Sequence, residues 1–73
     1  MTIEQIRQAY SARPFQPFVM HLADGRQIAV HHPEFMALST AGRTIAISQP
    51  DGAFEIVDLL LVVSLEFAGQ TVA

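Results

Sequence analysis

The stretch Pro17-Phe18-Val19-Met20-His21-Leu22-Ala23-Asp24-Gly25-Arg26-Gln27-Ile28-Ala29-Val30-His31-His32-Pro33 decides the fold. It reads as a β-hairpin that ends in a forced bend. Phe18, Met20 and Leu22 alternate with Val19 and His21. Ile28 and Val30 alternate with Gln27, Ala29 and His31. Both runs have the period of a half-buried strand. Asp24-Gly25 marks the reversal, and its length follows from the demand that apolar side chains share a face. A two-residue loop at Asp24-Gly25 sets Leu22 opposite Gln27 and Met20 opposite Ala29, which mixes the faces. A three-residue loop of Ala23, Asp24 and Gly25 sets Met20 opposite Ile28 and Phe18 opposite Val30, with Arg26 at the rim opposite Leu22. The longer loop is therefore expected, with Gly25 in the left-handed conformation that closes it.

Beyond the hairpin, Pro33 removes a ladder donor and favours an edge, bulge or turn. The segment from Gln27 to Ser39 is either one strand bent at Pro33 or two strands around a short turn. Thr40-Ala41-Gly42-Arg43 is the next reversal. A loop of Ala41-Gly42 sets Leu38 opposite Ile45 and Met36 opposite Ile47. Gln49-Pro50-Asp51-Gly52 is the third, and a two-residue Asp51-Gly52 turn sets Ile47 opposite Ile56. Phe54, Ile56 and Val57-Asp58 form the following strand. Asp58 is expected to cap a short helical turn over Leu59, Leu60 and Leu61. The last strand runs from Val62 to Phe67, with Val63, Leu65 and Phe67 on one face, and the tail 68–73 is expected to fray.

Ahead of the hairpin, residues 2–11 read as a helix. Thr2 and Gln5 have the spacing of a capping box. Glu4 sits in the first turn, where the helix dipole favours it. Ile3, Ile6 and Tyr10 share one face, and so short a helix must dock by that face. Pro14 stops it, and Phe15 is expected to pin the helix to the end of a β-barrel. The whole is one small domain, 1–73, with strands over 18–67 and no internal repeat or linker.

Composition narrows the function. Hydrophobic residues make up 51% of the 73 and charged residues only 15%, against a usual charged fraction of about 25%. A domain this small has little interior in which to hide so many apolar side chains, so a subunit interface is expected. The net charge is −3, there is no lysine, and the arginines are Arg7, Arg13, Arg26 and Arg43. Phosphate neutralisation, the main source of nucleic-acid affinity, is therefore poorly supplied. There is no cysteine, which removes disulfides and thiolate metal sites and fits a reducing cytoplasm. No signal peptide is read, and the longest apolar run, Leu59 to Val63, is too short to span a bilayer.

One helix, a meander of short strands with a bend in the second, and a helical turn before the last strand is the element order of an Sm-like or SH3-like small barrel, which this chain resembles. The resemblance implies a five- or six-stranded antiparallel barrel, mainly β, with most edges removed by closure. More locally, Arg13-Pro14-Phe15-Gln16-Pro17-Phe18, Asp24-Gly25-Arg26 and His32-Pro33-Glu34-Phe35 resemble a pattern of short bacterial proteins without assigned activity.

No motif carries catalysis or a cofactor. His31 and His32 are adjacent on a strand and point to opposite faces. His21 and His31 share a face but lie ~13 Å apart at ~3.3 Å per residue, too far for one ion. His32 and Glu34 supply two ligands, short of a site, and His32 is expected to bond backbone groups freed at the bend. Glu34 beside His32 lacks the pocket that a general base needs, and Ser39 and Thr40 read as turn residues. No metal, cofactor or enzymatic activity is expected.

Two functions remain. The Sm-like resemblance implies RNA contacts at loops, for which Arg26, His32, Phe35 and Arg43 are the candidates. The RNA chaperones of that fold carry a lysine-histidine pair where this chain has Asp58-Leu59-Leu60, so that contact does not carry over. Protein interaction is favoured instead. Leu59, Leu60, Leu61, Val62 and Val63 are apolar on both parities, whereas a half-buried strand needs only one. The expected interface is this run with the helix face of Ile3, Ile6 and Tyr10, in a cytoplasmic homo-oligomer. The alternative cover for the run is the protein's own helix.

Overall fold

The computed structural model of the protein describes residues 1–39 and 41–72. The expectations placed on Thr40 in the second reversal and on Ala73 in the tail lie outside the described residues. Helix α1 (Ile3–Ser11) opens the chain. The Thr2 hydroxyl accepts the Gln5 N–H at 3.3 Å, and Gln5 Oε1 accepts the Thr2 N–H at 2.9 Å, so both orphan donors are satisfied as the spacing predicts. Ile6 and Ala9 are buried, while Ile3 and Tyr10 pack half-buried against the core. Phe15 anchors the exit: its ring lies 5.9 Å from Phe18, which lies 5.7 Å from Phe67.

The rest is mainly β. Strands β1 (Phe18–Leu22), β2 (Gln27–Val30), β6 (Val62–Phe67) and β7 (Gln70–Val72) form one antiparallel sheet in the order β2-β1-β6-β7. Strands β3 (Met36–Leu38), β4 (Thr44–Ser48) and β5 (Phe54–Asp58) form a second in the order β3-β4-β5. Among the described residues neither sheet closes on itself, where a single five- or six-stranded barrel was expected. The first hairpin has the expected register, Met20 opposite Ile28 and Phe18 opposite Val30. The Leu22 N–H donates to the Arg26 carbonyl at 2.9 Å, and Gly25 sits at φ 92°, where a side chain is strained.

At Pro33 the chain makes a 3₁₀ turn (Pro33–Phe35) that separates β2 from β3 and sends them to different sheets. Two strands around a turn is thus the observed alternative. The His32 side chain does not cap this turn. Its donors are held by the backbone, Phe35 N–H to the His32 carbonyl at 3.1 Å and Met36 N–H to Pro33. The His32 ring instead meets Phe35 edge-on at 5.3 Å. After the turn, Leu38 faces Ile45 and Met36 faces Ile47, as expected. Ser39 is a turn residue, its hydroxyl accepting from the N–H groups of Arg43 and Thr44 at 3.3 and 3.2 Å.

The third reversal corrects the sequence reading. Ile47 lies opposite Glu55 and Ile56 opposite Ala46. The loop is Pro50-Asp51-Gly52, closed by Gln49 N–H to the Ala53 carbonyl at 2.8 Å and Gly52 N–H to Gln49 at 2.9 Å. Gly52, at φ 90°, plays the part Gly25 plays in the first hairpin. One more loop residue reverses which side chains point inward. Val57 enters the core, and Phe54 and Ile56 face out.

Two further differences lie in the last strands. Leu22 pairs with Val62 but His21 with Ser64, so Val63 is an extra residue, a β-bulge. Across it Val62 and Leu65 both face the core, and Val63 is turned out of the face it was expected to share with Leu65. The chain then turns at Gly69 (φ 75°) and pairs back as β7 with Leu65, Glu66 and Phe67, where fraying was expected.

The inner faces of the two sheets meet in one core. Met20, Ile28, Val30, Ile45, Ile47, Val57 and Val62 are its most deeply buried strand residues, with Ile6 from α1. Each such side chain contributes about 1.5–3 kcal/mol relative to exposure. No buried position among the described residues is polar or charged.

Candidate interaction surface

Strand β5 sits at one edge of the second sheet and, among the described residues, pairs only with β4. Leu59 N–H donates to Arg43 at 2.6 Å and Gln49 N–H to Ala53 at 2.8 Å, at either end of the β4–β5 ladder. Bonded pairs alternate along an antiparallel ladder. Residues 53, 55, 57 and 59 therefore turn their backbone groups toward β4, while Phe54, Ile56 and Asp58 turn theirs to the open edge. The same residues carry the outward side chains. Phe54 is 65% and Ile56 67% exposed, beside a Val57 that is 1% exposed. Edges in folded proteins are usually blunted by charged side chains, lysine above all, by inward-pointing charges, by proline or by a bulge. The β5 ladder is regular, and the strand, FEIVD, holds neither lysine nor proline; its two charges, Glu55 and Asp58, each lie beside an arginine.

The expected interface residues separate. Leu59, Val62 and Ile6 belong to the core. Ile3 and Tyr10 support it from α1. Leu60, Leu61 and Val63 remain on the surface, Leu60 being 69% exposed, so the helix is not their cover. Apolar character on both parities of the run has a partial structural explanation, because the bulge at Val63 exchanges the parities midway. The outward residues Leu60 and Val63 remain without burial. Phe54 and Ile56, with the less exposed Val72, are the members of the apolar surface that the sequence reading missed. The signal was the shared Asp-Gly pair, which closes the same loop in both hairpins.

The candidate RNA contacts do not converge on a free basic patch. Arg26 Nε donates to Asp24 at 2.8 Å, and Arg26 lies 3.6 Å from Glu55. Arg43 reaches Asp58 at 3.1 Å. Asp58 accepts the Leu60 N–H at 2.9 Å, capping the 3₁₀ turn Leu59–Leu61 as expected. That bond is the main reason its carboxyl lies below the usual range; desolvation opposes it, and the Arg43 guanidinium adds to the lowering. Asp24 is lowered likewise, chiefly by the Arg26 N–H, with desolvation opposing and the Arg26 side chain adding to the lowering. The His32 and Phe35 rings meet edge-on at 5.3 Å.

Among the described residues no three His, Cys, Asp or Glu side chains converge on a common point. His21 bonds Glu66 at 2.8 Å across β1 and β6, and no hydrogen bond joins His32 to Glu34. A cleft of about 500 Å³ lies between α1 and the last hairpin, floored by Leu65, Phe67 and Val72 and flanked by Gln8, Ala12 and Arg13. It brings together no acid–base pair or nucleophile. No helix among the described residues is long and apolar enough to cross a membrane. Comparison of the chain with family models, curated proteins and solved structures gives no match.

Proposed function

We propose that this chain is a non-enzymatic, self-associating interaction module of the cytoplasm. We read its two sheets as the halves of an Sm-like or SH3-like small barrel. The element order supports that reading, as do two links between the halves. Arg26, just ahead of β2, approaches Glu55 on β5. The Ala23 N–H donates to Leu61, in the turn that follows β5, at 2.8 Å. The observation that carries the function is the β5 edge, where unpaired backbone groups and the large side chains of Phe54 and Ile56 coincide. Leu60 and Val63 extend the exposed apolar set. Loose folding does not account for it: the accessible surface is 4453 Å² for 8.0 kDa, and a compact monomer of that mass exposes ~4,450 Å².

The competing reading is an RNA-binding ring. In its favour is the His32–Phe35 ring pair, which offers a base a stacking surface. Against it, the chain has no lysine, and Arg26 and Arg43 already hold carboxylates. Sedimentation velocity across the micromolar range is expected to give a concentration-dependent oligomer. A monomer throughout overturns the proposal. Tight binding of single-stranded RNA that weakens steeply with salt would replace it with the RNA reading.

A further inference from the structure

We infer that the occupant of the β5 edge is a second copy of this chain, paired antiparallel about a two-fold axis at Ile56. This rests on the self-association proposed above and specifies its partner and register. The outward backbone groups belong to Phe54, Ile56 and Asp58, spaced evenly about Ile56. With Ile56 against the partner's Ile56, Phe54 meets the partner's Asp58 and Asp58 meets the partner's Phe54. Every outward N–H and C=O of the strand is then bonded, and a continuous sheet β3-β4-β5 runs on into the same strands of the other copy. A two-fold contact of this kind is self-limiting, because the same patch is used on both sides.

The neighbouring registers are worse for stated reasons. Moving the axis to Glu55 sets that carboxylate against the partner's Glu55 at a non-bonded pair, where Cα atoms stand only ~4.5 Å apart. Like charges directly opposite are destabilising. Moving the axis to Val57 carries Phe54 beyond the end of the partner's strand. At Ile56 no carboxylate opposes another. Glu55 faces the partner's Val57, and Asp58 faces the partner's Phe54. The outer face is complementary as well. The two isoleucines cover each other at the axis. Arg43, held by Asp58 at 3.1 Å, offers its guanidinium to the partner's Phe54 ring, a cation–π contact.

The chain has no cysteine, so single-cysteine variants report one position each. Bonded antiparallel pairs have Cα atoms ~5.5 Å apart, inside the ~4.4–6.8 Å that a disulfide spans. Ile56→Cys and Leu60→Cys are matched controls, with native exposures of 67% and 69%. Under mild oxidation Ile56→Cys is expected to form covalent dimer about ten-fold faster or more, because its thiols are held together rather than meeting by collision. Urea removes the difference. Sedimentation of the reduced variants separates the two proposals. Association with Leu60→Cys crosslinking as fast as Ile56→Cys overturns the register and leaves self-association standing. Monomers with equal rates overturn both. Ile56→Lys, which sets like charges at the axis, is expected to give a folded monomer, and an undiminished dimer also refutes the axis.

Discussion

Threonine placed at Val57 and, separately, at Ile56 tests the β5 register directly. Val57 is 1% exposed among apolar neighbours, opposite Ile45. Val57→Thr keeps the shape nearly constant but buries a hydroxyl where no described buried position is polar. Leaving it unsatisfied costs about 1–3 kcal/mol. At roughly 4–8 °C per kcal/mol for a domain of this size, Tm falls by about 4–24 °C. Total stability for 73 residues is about 4–11 kcal/mol, so the upper end approaches unfolding. Ile56→Thr changes a side chain that already faces water, and its effect on the monomer stays within about 0.5 kcal/mol. The assay is thermal melting by circular dichroism at two protein concentrations. At low concentration the order is wild type ≈ Ile56→Thr > Val57→Thr. At high concentration wild type gains stability by mass action and Ile56→Thr gains less. A large loss at Ile56 and a small one at Val57, at low concentration, would refute the three-residue loop and return Ile56 to the core.

Two further expectations follow from the turns. Gly25→Ala meets no atom within 4 Å but must hold φ +92°. It is expected to cost about 1–2 kcal/mol from backbone strain alone, read as a lower urea midpoint with unchanged m. Asp58 has a folded pKa below its ordinary value, so its contribution to stability is present above the unfolded carboxylate pKa and is lost as pH falls through the folded one. Asp58→Asn therefore flattens part of the acid limb of a stability–pH curve, and an unchanged limb refutes the role of the Leu60 and Arg43 contacts.

The parts of this fold legible in the sequence are those where local chemistry leaves one solution. Thr2 and Gln5 cap α1, and only a three-residue loop keeps Phe18, Met20, Ile28 and Val30 on one face. The β5 segment leaves two. Phe54 and Ile56 are larger than Val57, so apolar weight favours the wrong parity. The inward partner is Glu55, a charged residue that alternation alone assigns to solvent. The structure keeps it at the rim, where the Gln49 amide donates to it at 3.4 Å and Arg26 approaches. The bulge at Val63 is hidden for a related reason. In Leu59-Leu60-Leu61-Val62-Val63 every position is apolar, so no change of parity is marked. The candidate interface was half legible. Leu60, Leu61 and Val63 follow from surplus apolar character, whereas Phe54 and Ile56 depend on the loop length.

The strand order β2-β1-β6-β7 also has a kinetic side. Val19 pairs with Glu66, 66 − 19 = 47 positions along the chain, whereas the hairpins close over a few residues. During synthesis the β1–β2 hairpin and the β3–β4–β5 meander emerge first. Leu22 and Met20 lack their β6 partners, Val62 and Leu65, until residues 62–67 arrive. Such long-range closure slows folding, and it leaves a nascent chain with one side of β1 open to neighbouring chains.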